Sequence, residues 1–302
     1  MKHLTGINHL SGDDIHHLLD QAQKYSAHLA KGATIAPSLA GKTVFMMFFE
    51  NSTRTRLSFE MAARKLGAAV INWDIETSSL KKGETFLDTI LTVGAMKPDA
   101  VIVRHSEFGA PEFMAKHMGC SVINAGDSWR EHPTQALLDA LTIRQHKGAI
   151  DGLTISICGD VAHSRVASSN MILLSRMGAK LRVIAPDFLM PEKWPVVGIE
   201  TFTSMEQGLP GSDIIMMLRN QKERMDPSRI PGDAGFFAQY GLTRERLDLA
   251  GPKALVMHPG PMNRNVEIAD DVADDKDRSL ILKQVTNGIP ARMAVLDYLL
   301  NN

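Results

Sequence analysis

Short, continuous apolar runs alternate along this chain with segments in which apolar residues recur every three to four positions. Val44–Phe49, Ala100–Arg104 and Leu153–Cys158 have the length and residue types of strands that are buried on both faces of a parallel sheet. The segments between them have the spacing of amphipathic helices. This alternation predicts an α/β protein in which helices cover both faces of parallel sheets.

The same pattern sets the bounds of each predicted element. The strands are Val44–Phe49, Ala69–Trp73, Ala100–Arg104, Ser121–Asn124, Leu153–Cys158, Leu181–Ala185, Asp213–Leu218 and Ala254–His258. The helices are Ser11–Leu29, Leu57–Leu66, Thr85–Met96, Pro111–His117, Pro133–His146, Arg165–Met177 and Arg278–Leu300. A capping box of Ser11 and Asp14 opens the first helix. The long helix after His132 is expected to join two halves of the chain.

The composition of the chain bears on the classes of ligand that it can bind and on where in the cell we expect it. The 302 residues suffice for two domains, and 44% hydrophobic with 22% charged residues is typical of soluble globular proteins. A net charge of −1 argues against general binding to nucleic acids or anionic membranes, so any anion site needs locally gathered arginines. The N-terminus has no apolar signal core and no run reaches membrane-spanning length, from which we expect a cytoplasmic protein.

The segment Ser52-Thr53-Arg54-Thr55-Arg56 lies between a predicted strand and a predicted helix. Unpaired N–H groups and the positive end of the dipole occur at a helix start, where hydroxyls and a guanidinium complete a site for a small phosphate. A Ser/Thr-capped helix with exposed arginines is the alternative for this segment alone.

Other polar segments also follow predicted strands. In parallel α/β folds, the carboxyl ends of the strands carry the ligands. The positions expected to face a ligand are Ser52–Thr55, Arg104-His105, Asp127–His132, Gly159–Arg165, Arg219–Arg224 and His258–Arg264. Because these are also the arginine-rich segments, their coincidence supports an anion-binding site.

Individual residues in these segments have candidate roles. His132 precedes a helix, where the dipole favours a neutral imidazole that donates to a carbonyl oxygen; a capping role is the alternative. Gln135 lies one turn further on the same face. Arg165 and Arg219 suit bidentate carboxylate binding, although Lys222-Glu223-Arg224 also reads as a solvated charge run. The segment Cys158–Arg165 lacks the glycines of a dinucleotide-binding loop.

Four motifs occur in a fixed order: STRTRLSFE, HPTQALLD, RNQKER and HPGPMNR. With them the chain resembles the aspartate/ornithine carbamoyltransferase family over nearly its full length. Within that family, Lys81–Glu84, Gln221–Arg224 and His258–Pro261 are similar to the aspartate branch, since the ornithine branch carries His-Cys-Leu-Pro in place of His-Pro-Gly-Pro. A carbamoyltransferase acting on another amino acid such as ornithine, and a non-catalytic homologue, are the alternatives. The latter would be expected to lack some of Arg54, Lys82, Arg104 and His132.

The resemblance implies transfer of the carbamoyl group of carbamoyl phosphate to L-aspartate, the committed step of de novo pyrimidine biosynthesis, without a cofactor or a metal ion. It implies a carbamoyl phosphate-binding domain of residues 1–133 plus 290–302, to which the C-terminal helix returns, and an aspartate-binding domain of residues 134–289. The implied carbamoyl phosphate ligands are Ser52, Thr53, Arg54, Thr55, Arg104, His132, Gln135, Pro259 and Gly260. The implied aspartate ligands are Lys82, Arg165, Arg219 and Gln221. The implied catalytic residues are Arg54, Thr55, Lys82, Arg104 and His132.

The resemblance also implies a homotrimer with shared active sites, in which Ser78 and Lys82 come from the neighbouring subunit. A regulatory chain and a dihydroorotase are alternative further partners that the sequence leaves open. Two positions depart from the family pattern. Asn265 stands where glycine is usual, and asparagine is the next best residue for positive φ. Asn220 stands where an apolar residue is expected, which questions the packing of its loop.

Overall fold

A computed structural model describes residues 2–73, 83–225 and 232–301 of the chain. Two compact units make up the structure: Met1–Leu141 with Thr286–Asn302, and Thr142–Val285. None of the helices in the described ranges is long and apolar enough to cross a membrane.

The strands are β1 Thr43–Phe48, β2 Ala69–Asn72, β3 Ala100–His105, β4 Ser121–Asp127, β5 Thr154–Cys158, β6 Lys180–Ile184, β7 Glu200–Phe202, β8 Ile214–Met217 and β9 Leu255–Met257. The helices are α1 Gly12–Ala30, α2 Thr53–Lys65, α3 Phe86–Ala95, α4 Ala110–His117, α5 Pro133–Lys147, α6 Arg165–Arg176, α7 Met205–Gly208, α8 Asp233–Tyr240, α9 Arg244–Leu249, α10 Asp270–Ala273 and α11 Ile281–Asn301. The boundaries between the two units fall inside α5 and α11.

The first unit is built on a parallel sheet of order β2-β1-β3-β4. Both faces of β1 are covered, because its successive residues Val44 to Met47 are all buried. Phe45 and Met47 point into a core that also contains Val101 and Val103 of β3. The continuous apolar runs therefore form fully buried strands, as predicted.

The second unit is built on a parallel sheet of order β7-β6-β5-β8-β9. Its central strands are covered on both faces, and β8 is buried along its whole length. The prediction of two α/β domains with parallel sheets flanked by helices, and of a C-terminal helix that packs on the first domain, is confirmed.

The order of the strands determines where loops converge. In the first sheet the chain moves from β1 outward to β2 and then returns to the other side of β1 with β3. The second sheet has the same reversal between β5 and β8. Ligands in open α/β sheets bind outside the carboxyl ends of strands at such a reversal. The loops after β1 and β3, and those after β5 and β8, are therefore the candidate ligand loops of each unit.

The predicted strands and helices are all present, with ends that shift by a few residues. The pattern missed β7 and the short helices α7 to α10. The three residues of β7 carry no apolar periodicity, and they form a strand because they pair with β6 between Arg182 and Ile184. Helices as short as α7 and α10 have too few turns to show helical spacing.

Candidate active site

The loop between β1 and α2 brings several hydrogen-bonding groups to the start of a helix. Ser52 is the N-cap of α2 with an extended backbone, and its side chain makes no capping hydrogen bond. A hydroxyl-capped helix, which the sequence left as an alternative, is therefore not formed by Ser52. Thr53 and Arg54 are exposed in the first turn, whereas Thr55 is buried. The first turn of α2 and its N-cap thus carry a cation and hydroxyls at the positive end of the helix dipole.

Arg104 lies directly beside this loop because β3 pairs in parallel with β1. Phe48 is opposite Arg104 in the sheet, and the N–H of Phe49 donates to the carbonyl oxygen of Arg104 at 2.8 Å. The half-buried guanidinium forms an ion pair with Glu50, with 3.2 Å between Nε and Oε2. Sequence reasoning missed Glu50, although an acidic residue at the end of a strand next to a strand-end arginine was a usable signal.

His132 and Gln135 lie at the start of α5. The Nε2 atom of His132 is 3.4 Å from Oγ1 of Thr55, and both side chains are buried. Gln135 is one turn further along, where its Nε2 donates to Oδ1 of Asp139 at 3.0 Å. The structure thus brings Thr55 and His132 of two separate motifs together. Asp139 is another residue that the motifs did not single out.

His105 lies in an aromatic cluster, although its position after the predicted strand Ala100–Arg104 led us to expect that it would face a ligand. Its ring centroid is 4.5 Å from that of Phe49 and 4.9 Å from that of Phe86. The N–H of Glu107 donates to its Nδ1 at 2.9 Å. Burial lowers the pKa of His105 and favours the neutral ring. It therefore packs as an aromatic residue.

In the second unit, Asp160 joins the loop after β5 to the loop after β8. Its Oδ1 accepts from Nδ1 of His163 at 2.7 Å, and its Oδ2 accepts from the N–H of Gln221 at 3.0 Å. Gln221 returns a hydrogen bond from Nε2 to the carbonyl oxygen of His163 at 2.7 Å. Gly159 precedes this junction with φ of 110°, where a Cβ would lie 2.9 Å from the carbonyl oxygen of Leu218. The two loops are thus held as one surface.

The two arginines predicted to bind carboxylates, Arg165 and Arg219, lie at these two loops. Arg165 is the first residue of α6 and is buried, while Ser164 caps the helix by accepting from the N–H of Ala167 at 3.1 Å. Arg219 is half-buried after β8. Next to it, Asn220 is buried, and no residue in the described ranges donates to its Oδ1. The departure that the sequence flagged at Asn220 therefore leaves a buried acceptor unsatisfied.

The segment after β9 is held by a buried network around His258. The N–H of His258 donates to Oε1 of Gln284 at 2.8 Å, and its Nδ1 accepts from the N–H of Gly260 at 2.9 Å. Because Nδ1 is an acceptor, Nε2 carries the proton and donates to Oε1 of Glu267 at 3.2 Å. Pro259 and Gly260 are half-buried beside this network. Asn265 has φ of 60°, the positive value that the sequence predicted.

The remaining site predictions, Ser78 and Lys82, lie outside the residues that the structure describes.

The fold and these loops define a class of protein: two parallel α/β units, each with arginines at the carboxyl ends of strands that flank a reversal in strand order. Residues 2–145 match the family model described as "Aspartate/ornithine carbamoyltransferase, carbamoyl-P binding domain". Residues 151–299 match "Aspartate/ornithine carbamoyltransferase, Asp/Orn binding domain". The chain belongs to the aspartate/ornithine carbamoyltransferase family.

Known relatives are similar to this chain over more than nine-tenths of their own length. The chain is 53% identical over 301 residues to the aspartate carbamoyltransferase catalytic subunit of Rhodospirillum rubrum, covering 100% of this chain and 94% of that protein. It is 54% identical to that of Parvibaculum lavamentivorans, with 100% and 92% covered.

Solved structures of aspartate transcarbamoylases have the same fold as this chain. The catalytic subunit of M. jannaschii aspartate transcarbamoylase superposes with a TM-score of 0.88 at 33% identity, covering 100% of this chain and 98% of that one. Aspartate transcarbamoylase from Trypanosoma cruzi, in complex with N-(phosphonacetyl)-L-aspartic acid, superposes with a TM-score of 0.88 at 33% identity and covers 99% and 95%.

Proposed function

We propose that this chain catalyses the transfer of the carbamoyl group of carbamoyl phosphate to the amine of L-aspartate, giving N-carbamoyl-L-aspartate and phosphate. The observation that carries the proposal is similarity over the full chain to catalytic subunits named aspartate carbamoyltransferase. The ornithine alternative is not favoured by these relatives. The reaction is the committed step of de novo pyrimidine biosynthesis.

The first unit supplies the ligands of the phosphate and of the carbonyl oxygen in this proposal. The N-terminus of α2, the hydroxyls of Ser52 and Thr53, and the guanidinium of Arg54 hold the phosphate. Arg104, with its orientation set by Glu50, adds a second cation. Thr55 and His132, which are already adjacent, donate to the carbonyl oxygen. Donors aimed at an oxygen on which negative charge develops lower the barrier to attack.

The second unit supplies the ligands of the amino acid. Arg165, Arg219 and Gln221 bind the carboxylates of aspartate, and the junction formed by Asp160 supports the loops that carry them. Two anionic substrates repel one another, so the proposed cationic ligands must offset their charge. The carbonyl oxygens of Pro259 and Gly260 accept from the carbamoyl amide.

The attacking amine must lose a proton. No side chain among the proposed ligands is an obvious general base for it. We assign this proton to the departing phosphate. Orientation of two bound reactants contributes up to roughly 7–11 kcal/mol to such a reaction, so a dedicated base is not required for substantial acceleration.

The purified chain, supplied with carbamoyl phosphate and L-aspartate, is expected to release equal amounts of N-carbamoyl-L-aspartate and phosphate, measured by mass spectrometry and a phosphate assay. L-ornithine in place of L-aspartate is the control. Faster formation of citrulline than of carbamoyl aspartate, or no carbamoylated product from either amine, contradicts the proposal.

The proposal includes a homotrimer in which neighbouring subunits share active sites. Large apolar side chains are exposed on β2, which is the edge strand of the first sheet, and on the neighbouring α2: Ile71, Leu57 and Met61. Leu87 and Leu91 of α3 are exposed as well. An exposed sheet edge bordered by apolar side chains is a surface that proteins cover by association. Sedimentation of the purified chain at several concentrations tests this assembly, and a monomer at all concentrations contradicts it.

A further inference from the structure

The hydrogen bond between Gln135 and Asp139 determines which end of the Gln135 carboxamide is presented outward. Both residues lie on α5, four positions apart. Asp139 is fully buried and Gln135 is 8% exposed. The Nε2 atom of Gln135 donates to Oδ1 of Asp139 at 3.0 Å. An ionised carboxylate only accepts hydrogen bonds, so Gln135 must turn its NH₂ group toward Asp139 and its Oε1 away from it.

The carboxylate of Asp139 interacts electrostatically with a buried cation. Arg292 of α11 is 2% exposed, and its guanidinium lies over the ring of Phe59 at 4.9 Å from the ring centroid. Burial lowers the pKa of Arg292, and the charge of Asp139 acts in the opposite direction. A buried cation and a buried anion stabilise each other's charged forms. Gly288 makes room for this guanidinium, because a Cβ there would lie 2.7 Å from Nη1 of Arg292.

Within the part of the chain that the structure describes, nothing donates a hydrogen bond to Oε1 of Gln135. The side chain therefore offers an acceptor, and its donor group is already used. A ligand with an N–H group against that oxygen forms a hydrogen bond to it. A ligand with a methyl group in the same place forms none and leaves a partly buried acceptor unpaired.

We propose that Asp139 is a positioning residue that sets substrate choice: it orients Gln135 so that the site selects an acyl phosphate bearing an amide NH₂ over one bearing a methyl group. This inference rests on the proposed function, because it assumes that Gln135 faces the carbamoyl amide. Arg292 of the C-terminal helix supports this role through its electrostatic interaction with Asp139. The carboxylate thus acts on specificity through Gln135 and does not contact the substrate.

Asp139→Asn tests the assignment. An asparagine at this position donates as well as accepts, so the Gln135 carboxamide can take either orientation. Dissociation constants are measured by competition for freshly dissolved carbamoyl phosphate, for acetyl phosphate, which has a methyl group in place of NH₂, and for inorganic phosphate. We expect the preference for carbamoyl phosphate over acetyl phosphate to fall by about 10-fold or more. The affinity for inorganic phosphate should change by less than about 3-fold, because phosphate does not reach Gln135.

Two further variants complete the experiment. Gln135→Met removes the acceptor and should lose the same preference, and adding Asp139→Asn to it should cause no further loss because both act through one group. If Asp139→Asn does not fold, Asp139→Asn combined with Arg292→Met removes both buried charges and is compared instead, with the same expected loss.

The outcomes separate this inference from the proposed function. An unchanged preference in a folded variant, or equal weakening of all three ligands together with a lower melting temperature, overturns the role of Asp139. A wild-type chain that binds none of the three ligands overturns the phosphate site itself. Wild-type binding of phosphate without any preference for carbamoyl over acetyl phosphate overturns the role of Gln135.

Discussion

At the scale of single residues, Arg54 is the cation closest to the start of α2 in the sequence. In the proposed site it offsets the charge of the phosphate both on binding and as the phosphate departs. Arg54→Ala is expected to lower kcat by about 10²–10³-fold, the loss typical of removing one group that stabilises developing charge. Because the residue is exposed, the free energy of unfolding should change by no more than about 0.5 kcal/mol.

Arg64→Ala is the matched control for this prediction. Arg64 lies on the same helix and pairs with Glu60 at 2.9 Å on an exposed surface. Its removal should leave kcat unchanged. Turnover of Arg54→Ala within tenfold of the wild type, with a normal circular dichroism spectrum, would mean that the phosphate is held elsewhere.

Asn220 is a residue whose replacement is expected to stabilise the protein. Its Oδ1 is buried without a donor among the described residues, and an unsatisfied buried acceptor costs about 1–3 kcal/mol. Asn220→Leu keeps the approximate volume and should raise the free energy of unfolding by about 1 kcal/mol, measured in urea. The Michaelis constant for aspartate should stay the same, because the proposed ligands in this loop are Arg219 and Gln221 and Asn220 is not one of them.

The same substitution at Asn124 provides the comparison. Asn124 is also buried, but its side chain donates to the carbonyl oxygen of Thr5 at 2.8 Å and accepts from the N–H of Gly126 at 2.7 Å. Asn124→Leu should therefore destabilise the protein. Equal destabilisation by both substitutions would show that Asn220 has a donor after all.

At the scale of elements, the first and last helices are joined through one carboxylate. Asp14 completes the capping box of α1 with Ser11, and its Oδ1 accepts from Oη of Tyr298 of α11 at 2.5 Å. The hydrogen bond from Tyr298, followed by those from Ser11, lowers the pKa of Asp14. A carboxylate whose pKa is lowered in the folded state stabilises the protein above its unfolded pKa, near 3.9, and loses that contribution as the pH falls through the folded value.

Asp14→Asn is accordingly expected to lower the free energy of unfolding by about 1 kcal/mol at pH 7, the typical cost of a lost helix cap. The difference from the wild type should shrink as the pH falls below about 4. Urea titrations at several pH values measure this difference in the free energy of unfolding. Asp13→Asn, one position earlier at an exposed site, is the control and should show a smaller effect. A difference for Asp14→Asn that persists unchanged at low pH would contradict the assignment.

At the scale of the whole molecule, the proposed trimer predicts complementation between inactive variants. In the proposal Arg54 comes from one subunit and Lys82 from its neighbour, so Arg54→Ala and Lys82→Ala trimers are each inactive. When the two are mixed equally, dissociated and reassembled, about three-quarters of random trimers are mixed and each has one intact site, so about one-quarter of all sites should be restored. Activity near that level supports sharing. Background activity, with mixed trimers verified by native mass spectrometry, excludes it.

The sequence by itself determined the class of fold and the position of most candidate ligands. Buried parallel strands need continuous apolar runs, and helices need apolar residues at helical spacing. Both signals therefore lie within the segment that forms the element. The proposed phosphate loop, Ser52–Thr55, likewise combines hydroxyls, an arginine and a helix start within a few residues. The positive φ of Asn265 was also predictable, because few residues tolerate that conformation.

Only the tertiary structure decided how these residues are oriented and supported. Glu50 forms an ion pair with Arg104, and the buried charges of Arg292 and Asp139 interact, although the members of each pair are distant in the sequence. His105 belongs to an aromatic cluster because it packs against Phe49. The segment β7 is a strand because it pairs with β6. Local patterns carry no information about such partners, since the partner is selected by the packing of the folded chain. The buried surroundings of Asp139, to which Gln135 donates, depend on that packing.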